Sequence, residues 1–441
     1  MKPPRNQPTQ PNPAEAAFVR IEKPIYGGAF LARIEGKAVF VPMALPGEEA
    51  RVRVTQDKPG YSSAEIHEIV SSSPDRTTPE CPHFGPCGGC AYQHANYPAQ
   101  LRFKQAILRE TLERGGVRAP EQVRVLSAEP WRYRNRIRLG FDAHGNPGYR
   151  GRRSHAIVPI SQCPISAPLL VKAALACADL ARNFAPALRL TGLALFCNPS
   201  ESAILATMFT GNPAHTRFEE FVSAFAGHVP QFAGGELALE SRTGEPQRIL
   251  ARWGTPSITY PAAGFDYRVG HGAFFQVNRW LVDPLVECVT ASYKGALAWD
   301  LFAGVGLFAR RLTSTFDRVI VVESAPAATA ALEHNLSGTC ALAMKSDTLA
   351  FLRRNARGPR PDLIVADPPR TGLGADVCAA LAEIAAPAIV YVSCDPATLS
   401  RDLRALIAGG YAIQSVTLAD LFPETFHLET VVHLRHAQAR A

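Results

Sequence analysis

The stretch AIVYVSCDP, Ala388 to Pro396, ends an apolar run on a cysteine. Ile389 to Val392 read as a buried strand, and the chain then turns polar at Ser393, Cys394 and Asp395 before Pro396. In a parallel α/β sheet the carboxyl ends of strands open onto the ligand crevice, so a thiol there is placed to react as a nucleophile. The competing reading is a small core hydrophobe, where most free cysteines end up. Asp395 and Pro396 read as the N-cap and first position of a helix whose positive end would favour a thiolate.

Carboxylates occupy similar places. WDLFAGVGLFARRL sets an apolar strand before Gly304-x-Gly306 and a helix, and the next strand, DRVIVVE, ends on Glu323, seventeen positions after Gly306. An acidic residue there holds ribose hydroxyls by two hydrogen bonds. The third glycine of a dinucleotide fingerprint is missing, with Ala309 in its place, so a ligand without a pyrophosphate fits better, and S-adenosylmethionine is the main such candidate. Asp347, in MKSDTL, stands where a third strand could end, suited to the adenine. Asp367 ends the fourth in VADPPR, where the two prolines stop the strand. For both, the alternative role is a helix cap.

Cys81, Cys87 and Cys90 put three thiols in ten residues among glycine and proline, in the spacing C-x5-C-x2-C. Small neighbours let sulfurs converge, and spacing alone admits either a closed zinc site or an iron-sulfur cluster. Cys163, in the loop-like SQCPIS, is the fourth candidate ligand. Cys177 lies in an apolar helical run and Cys197 follows an apolar strand, where the core reading is stronger.

The elements that must position these groups fall into zones. At 441 residues the chain exceeds what one core supports. With 47% hydrophobic and 19% charged residues and no apolar run near membrane length, it reads as a soluble, cytoplasmic protein without a membrane partner. Residues 1–15, rich in proline, read as a disordered tail. Residues 16–72 alternate in short strands broken by glycine and proline and predict a five-stranded OB-like barrel. Residues 73–270 form a central α+β zone with the cysteines, and residues 271–441 alternate strand and helix as a Rossmann-like parallel sheet does.

Charge is concentrated. Residues 101–155 hold thirteen Lys or Arg against five Asp or Glu, an excess of +8, so the rest of a chain of net charge +7 sums to about −1. Within that zone Arg132, Arg134, Arg136 and Arg138 alternate in WRYRNRIRL; as a strand they would line one face and track phosphates, with Trp131 and Tyr133 on the other. The alternative is a solvated outer face.

In combination, C-x5-C-x2-C, FFQVN, DLFAGVG, DPPR, SCDP and HLE resemble the RNA uracil-5 methyltransferases that carry a TRAM barrel and an iron-sulfur cluster and act on large-subunit ribosomal RNA. The resemblance runs from the barrel to about Leu434. It implies a TRAM barrel, a central domain holding a 4Fe-4S cluster at Cys81, Cys87, Cys90 and Cys163, and a class I methyltransferase domain. It implies that Cys394 is the nucleophile, Glu429 the base, and that Gln276, Phe302, Glu323, Asp347 and Asp367 line the methyl-donor site. A uracil inside a helix is inaccessible to a thiolate, so the target is expected to be an unpaired or flipped uridine, and the protein is expected to be a monomer. Leu307 stands where relatives often have asparagine, and Asp347 likewise. His427 reads as a satisfied buried histidine.

Two other classes compete. A radical enzyme would leave one iron of its cluster open, against the four cysteines here and the separate crevice. A non-catalytic RNA chaperone would have no use for Cys394 and Glu429.

Overall fold

A computed structural model describes residues 16–184, 188–213, 217–240 and 247–437. The expected tail at residues 1–15 lies outside the described residues. The chain divides into two compact units. One comprises the residues up to Gly85 with Cys90–Ile107 and Glu424–Phe426, and the other comprises Pro86–Gly89, Leu108–Pro423 and His427 onward.

The first unit is built on a six-stranded sheet in the order Ala17–Arg20, Glu49–Asp57, Tyr61–Ser71, Lys37–Pro42, Ala29–Ile34, Lys23–Ile25. The sequence predicts five strands; the sixth arises because AFVRIEKPI changes partners midway. The Ile21 N–H donates to the Glu48 carbonyl and the Glu22 N–H to the Leu31 carbonyl, so the run splits between two neighbours. Alternation buries Val19, Val39, Val41 and Val52 around Phe30, and the helix Tyr97–Arg114 adds Ala99 and Phe103 to that core. Glu48, fully buried, is held by Arg76 at 2.6 Å, which ties the linker after the sheet back onto it.

The second unit holds two large sheets and a two-stranded hairpin, Ser257–Ala262 with Phe265–Gly270. A seven-stranded sheet runs Ile157–Pro159, Pro147–Arg150, Arg136–Phe141, Leu190–Cys197, Ile204–Thr210, Phe232–Leu239, Ile249–Gly254, with one parallel pair between Ile204–Thr210 and Phe232–Leu239. Helices Pro168–Phe184 and Phe218–His228 place their apolar stripes in the core that covers one face, around Met208, Phe221 and Phe225. Leu205 and Phe196, pointing the other way, join the core of the second sheet.

That second sheet has eight strands: Ala341–Lys345, Phe316–Glu323, Gly295–Leu301, Leu363–Ala366, Ala388–Ser393, Glu429–His436, Tyr411–Ala419 and Arg124–Leu126. The first five are parallel, and their near-continuous apolar runs follow from burial on both faces. Glu429–His436 inserts antiparallel between Ala388–Ser393 and Tyr411–Ala419. Arg124–Leu126, from the stretch expected to belong to the central zone, forms the far edge. Strand order reverses between Gly295–Leu301 and Leu363–Ala366, so a crevice opens past their carboxyl ends. Among the described residues no helix is long and apolar enough to cross a membrane.

Candidate active site

The glycine turn forms one wall of the crevice. After Leu301 the backbone goes left-handed at Phe302 (φ 61°), again at Gly304 (φ 56°) and at Gly306 (φ 86°), which caps the short helix Leu307–Leu312. Phe302 pays about 1–2 kcal/mol for that conformation, a strain of the kind that collects at functional sites. A Cβ on Gly306 would lie 2.8 Å from Leu332, so the turn needs glycine for space as well as for φ. Leu307 is buried in the core beneath the turn, and its carbonyl accepts a hydrogen bond from the Tyr267 hydroxyl.

Glu323 ends the neighbouring strand. One of its oxygens accepts the Gly304 N–H at 2.7 Å and the other accepts those of Ser324 at 2.7 Å and Ala325 at 2.5 Å. A carboxylate has about four acceptor sites, so three are occupied by the protein itself and one remains, where the sequence reading expected two for a ribose. Glu323 therefore also braces the glycine turn. Asp347 is the exposed N-cap of the helix Thr348–Asn355, where one of its oxygens accepts the Ala350 N–H at 3.0 Å.

A further carboxylate, Asp300, escaped the sequence reading. It is fully buried; one oxygen accepts the Ala309 N–H at 2.8 Å and the other has no hydrogen-bond partner. Burial raises its pKa to about 8, against the Ala309 N–H and with help from the charges of Asp367 and Glu323. The signal was a charged residue near the end of an otherwise apolar strand in AWDLF.

The opposite wall comes from the next two strands and the loop before the sheet. Asp367, half-buried after Leu363–Ala366, has one oxygen 3.5 Å from the Gln276 amide nitrogen, and burial raises its pKa to about 7. Gln276 is buried, and its carbonyl is fixed by the Asn135 side chain at 2.8 Å. Cys394 leaves Ala388–Ser393 half-buried, and Glu429, 5% exposed, begins the antiparallel neighbour. Asp395 caps the helix Pro396–Ala408 by accepting from Ala397 and Thr398, as its sequence predicts.

The electrostatics differ from expectation. Burial, then the negative charges of Glu429 and Asp367, push the Cys394 thiol up to about 12, and Arg370 only partly offsets them. The helix end does not win, and the resting group is a thiol. Burial and Asp367 also raise Glu429 well above the carboxylate range, again against Arg370. His427 is half-buried rather than sealed, edge-on to Phe422, with Nδ1 3.5 Å from Arg370.

Only half of the arginine row lies in a strand. The strand begins only at Arg136; Arg132 sits in a left-handed turn (φ 53°) and its N–H donates to the Pro164 carbonyl. Arg134 folds onto Tyr133, and Tyr133 is buried with its hydroxyl on the Pro423 carbonyl. Arg136 lies over Phe196 at 4.5 Å with two of its nitrogens buried, while Arg138 covers Phe209 at 4.1 Å and stays exposed. The strand starts late because Tyr133 and Asn135 pair with the 277–279 loop, yet burial still alternates: Tyr133, Asn135, Ile137 and Leu139 are buried while Arg132 and Arg138 are exposed and Arg134 and Arg136 half-buried.

Among the described residues no group of three or more His, Cys, Asp or Glu is arranged to hold a metal ion, so no ligand constellation carries the expected cluster at Cys81, Cys87, Cys90 and Cys163. The sulfurs do show donor chemistry suited to thiolates. Cys87 accepts the Gly89 N–H at 3.4 Å, Cys90 the Gln93 amide at 3.2 Å, and Cys163 the Ser166 hydroxyl at 3.2 Å. Cys177 and Cys197 are core residues whose thiols burial raises to about 12.

A parallel sheet with an antiparallel strand inserted near one end, a glycine turn, and an acidic residue closing the next strand defines an S-adenosylmethionine-dependent methyltransferase of class I. Residues 360–437 match the tRNA (uracil-5-)-methyltransferase family and residues 18–67 match the TRAM domain. The 23S rRNA (uracil(1939)-C(5))-methyltransferase RlmD of Chromohalobacter salexigens is 32% identical, over 98% of this chain and 91% of that protein. An uncharacterized RNA methyltransferase of Streptomyces avermitilis is also 32% identical, over 95% of this chain and 98% of its own. The structure of the Pyrococcus abyssi tRNA (uracil-54, C5)-methyltransferase with S-adenosyl-L-homocysteine superposes with a TM-score of 0.76 at 24% identity, covering 94% of this chain and 99% of that one. The chain belongs to the RNA uracil-5 methyltransferase family, in its TRAM-bearing branch, and is an S-adenosylmethionine-dependent enzyme.

Proposed function

We propose that the enzyme methylates carbon 5 of a uridine in large-subunit ribosomal RNA, through a covalent bond between Cys394 and carbon 6 of the base. The placement of Cys394 and Glu429 at the ends of adjoining antiparallel strands carries the covalent reading. Similarity to two 23S rRNA enzymes, each over 98% of this chain, supports ribosomal RNA and a uridine equivalent to the one in their names.

Carbon 5 of uracil is a poor nucleophile. Addition of the Cys394 thiolate to carbon 6 turns carbon 5 into an enolate carbon able to take a methyl group. S-adenosylmethionine, when bound, supplies that methyl as an electrophile. Gln276, Phe302, Glu323 and Asp367 would line its site, with Asp347 at the rim, and its positive sulfonium would work against the raised thiol pKa. Asp367, which borders the thiol, accepts its proton, and Glu429 is left for the later step. After methylation Glu429 removes the carbon-5 proton and the thiolate leaves, restoring the ring; its buried position suits a base of raised pKa. The target uridine must be unpaired or flipped out to reach a half-buried thiol.

Cys81, Cys87, Cys90 and Cys163 would hold a 4Fe-4S cluster in a structural role, because methyl transfer requires no electron. The hydrogen bonds donated to three of their sulfurs support this. The protein would act as a cytoplasmic monomer. Mapping 5-methyluridine in ribosomal RNA from cells with and without the gene tests the substrate: loss of one 5-methyluridine in 23S rRNA is expected, and loss in transfer RNA alone would overturn it.

A further inference from the structure

The loop between the hairpin strand Phe265–Gly270 and the helix Val282–Thr290 carries two exposed aromatic side chains, Phe274 and Trp280, the latter 40% exposed. Trp280 is exposed but not loose. Its Nε1–H donates to the Trp131 carbonyl at 3.0 Å and its backbone N–H to the Asn278 side chain at 3.0 Å. The Arg279 guanidinium lies 4.3 Å from the indole centroid. Arg279 is itself locked, its buried side chain 2.7 Å from Glu201 and 3.2 Å from the Pro199 carbonyl.

A rigid indole of this kind offers a ligand one thing. Its single hydrogen-bond donor is already used, so only π surface remains, which stacks on any base and reads none. One exposed cation is carried next to the residue that holds the indole: Arg132 follows Trp131, inside the sequence zone of +8 charge. The two segments interlock, with the Asn135 N–H on the Val277 carbonyl and the Arg279 N–H on the Tyr133 carbonyl. Gln276 lies four residues from Trp280, at most about 14 Å along the chain, so the indole is carried by the same short loop as a residue of the crevice wall.

We propose that Trp280 is a stacking platform for an unpaired base of the substrate RNA that neighbours the target uridine. This rests on the RNA reading above. It commits to a nucleobase because an exposed arginine, Arg132, and a flat ring whose one donor is used match single-stranded nucleic acid.

The test titrates in-vitro-transcribed large-subunit ribosomal RNA into the full-length enzyme, reading affinity, methyl transfer and tryptophan fluorescence. Trp280→Ala should weaken RNA binding by roughly 5- to 100-fold and raise the KM for RNA, with the KM for the donor and the salt slope unchanged. Trp280→Phe should keep most of the affinity but lose much of the fluorescence quenching that RNA causes in the wild type. Unchanged RNA affinity in Trp280→Ala, with normal methylation by the wild type, overturns this proposal alone. A parallel loss of donor binding would mark Trp280 as structural and overturn it too. Wild-type protein that neither binds nor methylates the RNA would bring down the substrate reading and this proposal together. Altered self-association in Trp280→Ala with unchanged RNA affinity would reassign the patch to a protein contact.

Discussion

Ser393 pairs with Thr430 across two antiparallel strands, so Cys394, one residue beyond, emerges opposite Glu429, one residue before. A thiol and a buried carboxylate thus share one rung at the edge of the crevice, although thirty-five positions separate them in the chain. Burial and then Glu429 raise the thiol's cost of ionising, burial and then Asp367 raise that of Glu429, and Arg370 is the cation that moderates both.

From that rung, the two residues should fail at different points. Cys394→Ala should bind RNA and donor and form no adduct. Glu429→Gln should add and methylate, then stall as a methylated protein–RNA species that survives denaturing electrophoresis. Either change should lower turnover by several orders of magnitude. Peptide mapping that puts the RNA on Cys378 or Cys340 would falsify the mechanism.

Glu323 holds three backbone N–H groups of the glycine turn and its own strand end. Glu323→Ala should therefore raise the KM for the donor far more than that for RNA, and also lower the Tm, because the turn loses its brace. Glu323→Gln, which keeps one acceptor oxygen, should fall between. A change in donor KM with no loss of stability would mean that the turn stands without Glu323.

Asp300 and Asp367 carry pKa values raised to about 8 and about 7 from an ordinary 3.8. Between pH 4 and 8 the folded protein then binds more protons than the unfolded chain, so stability falls as pH rises through that window. Asp300→Asn removes one titrating group while keeping an oxygen for the Ala309 N–H, and should flatten the slope. Denaturant midpoints measured from pH 5 to 8 decide it; an equal slope in the variant would place the buried proton elsewhere.

Arg132 is exposed and Arg136 is packed over Phe196. Arg132→Ala should weaken RNA binding and reduce its salt slope by about one. Arg136→Ala should instead lower stability through lost packing, with the slope retained. Equal slope changes in both would mean that RNA binding uncovers Arg136.

Anaerobically purified protein should be brown and contain iron and sulfide, and Cys163→Ser should lose both. Colourless, active protein with one bound zinc would assign the cysteines to a zinc site.

The sequence by itself determined the local terms. Apolar runs closed by Glu323, Asp367 and Cys394 became parallel strands with those residues at their carboxyl ends, because burial on both faces demands such runs and the crevice lies at their ends. Asp395-Pro396 started a helix because a side-chain acceptor followed by proline satisfies the first turn without outside help. Tertiary structure decided whatever depends on partners distant in the chain. Asp347 caps a helix, and the remaining acceptor capacity of Glu323 was set by the Gly304 turn nineteen residues away. The strand of WRYRNRIRL begins only at Arg136 because Tyr133 and Asn135 found hydrogen bonds in the 277–279 loop. The thiol of Cys394 is protonated because it is partly buried and two carboxylates from other strands add to that cost, and a pKa is fixed by surroundings that the order of residues does not reveal.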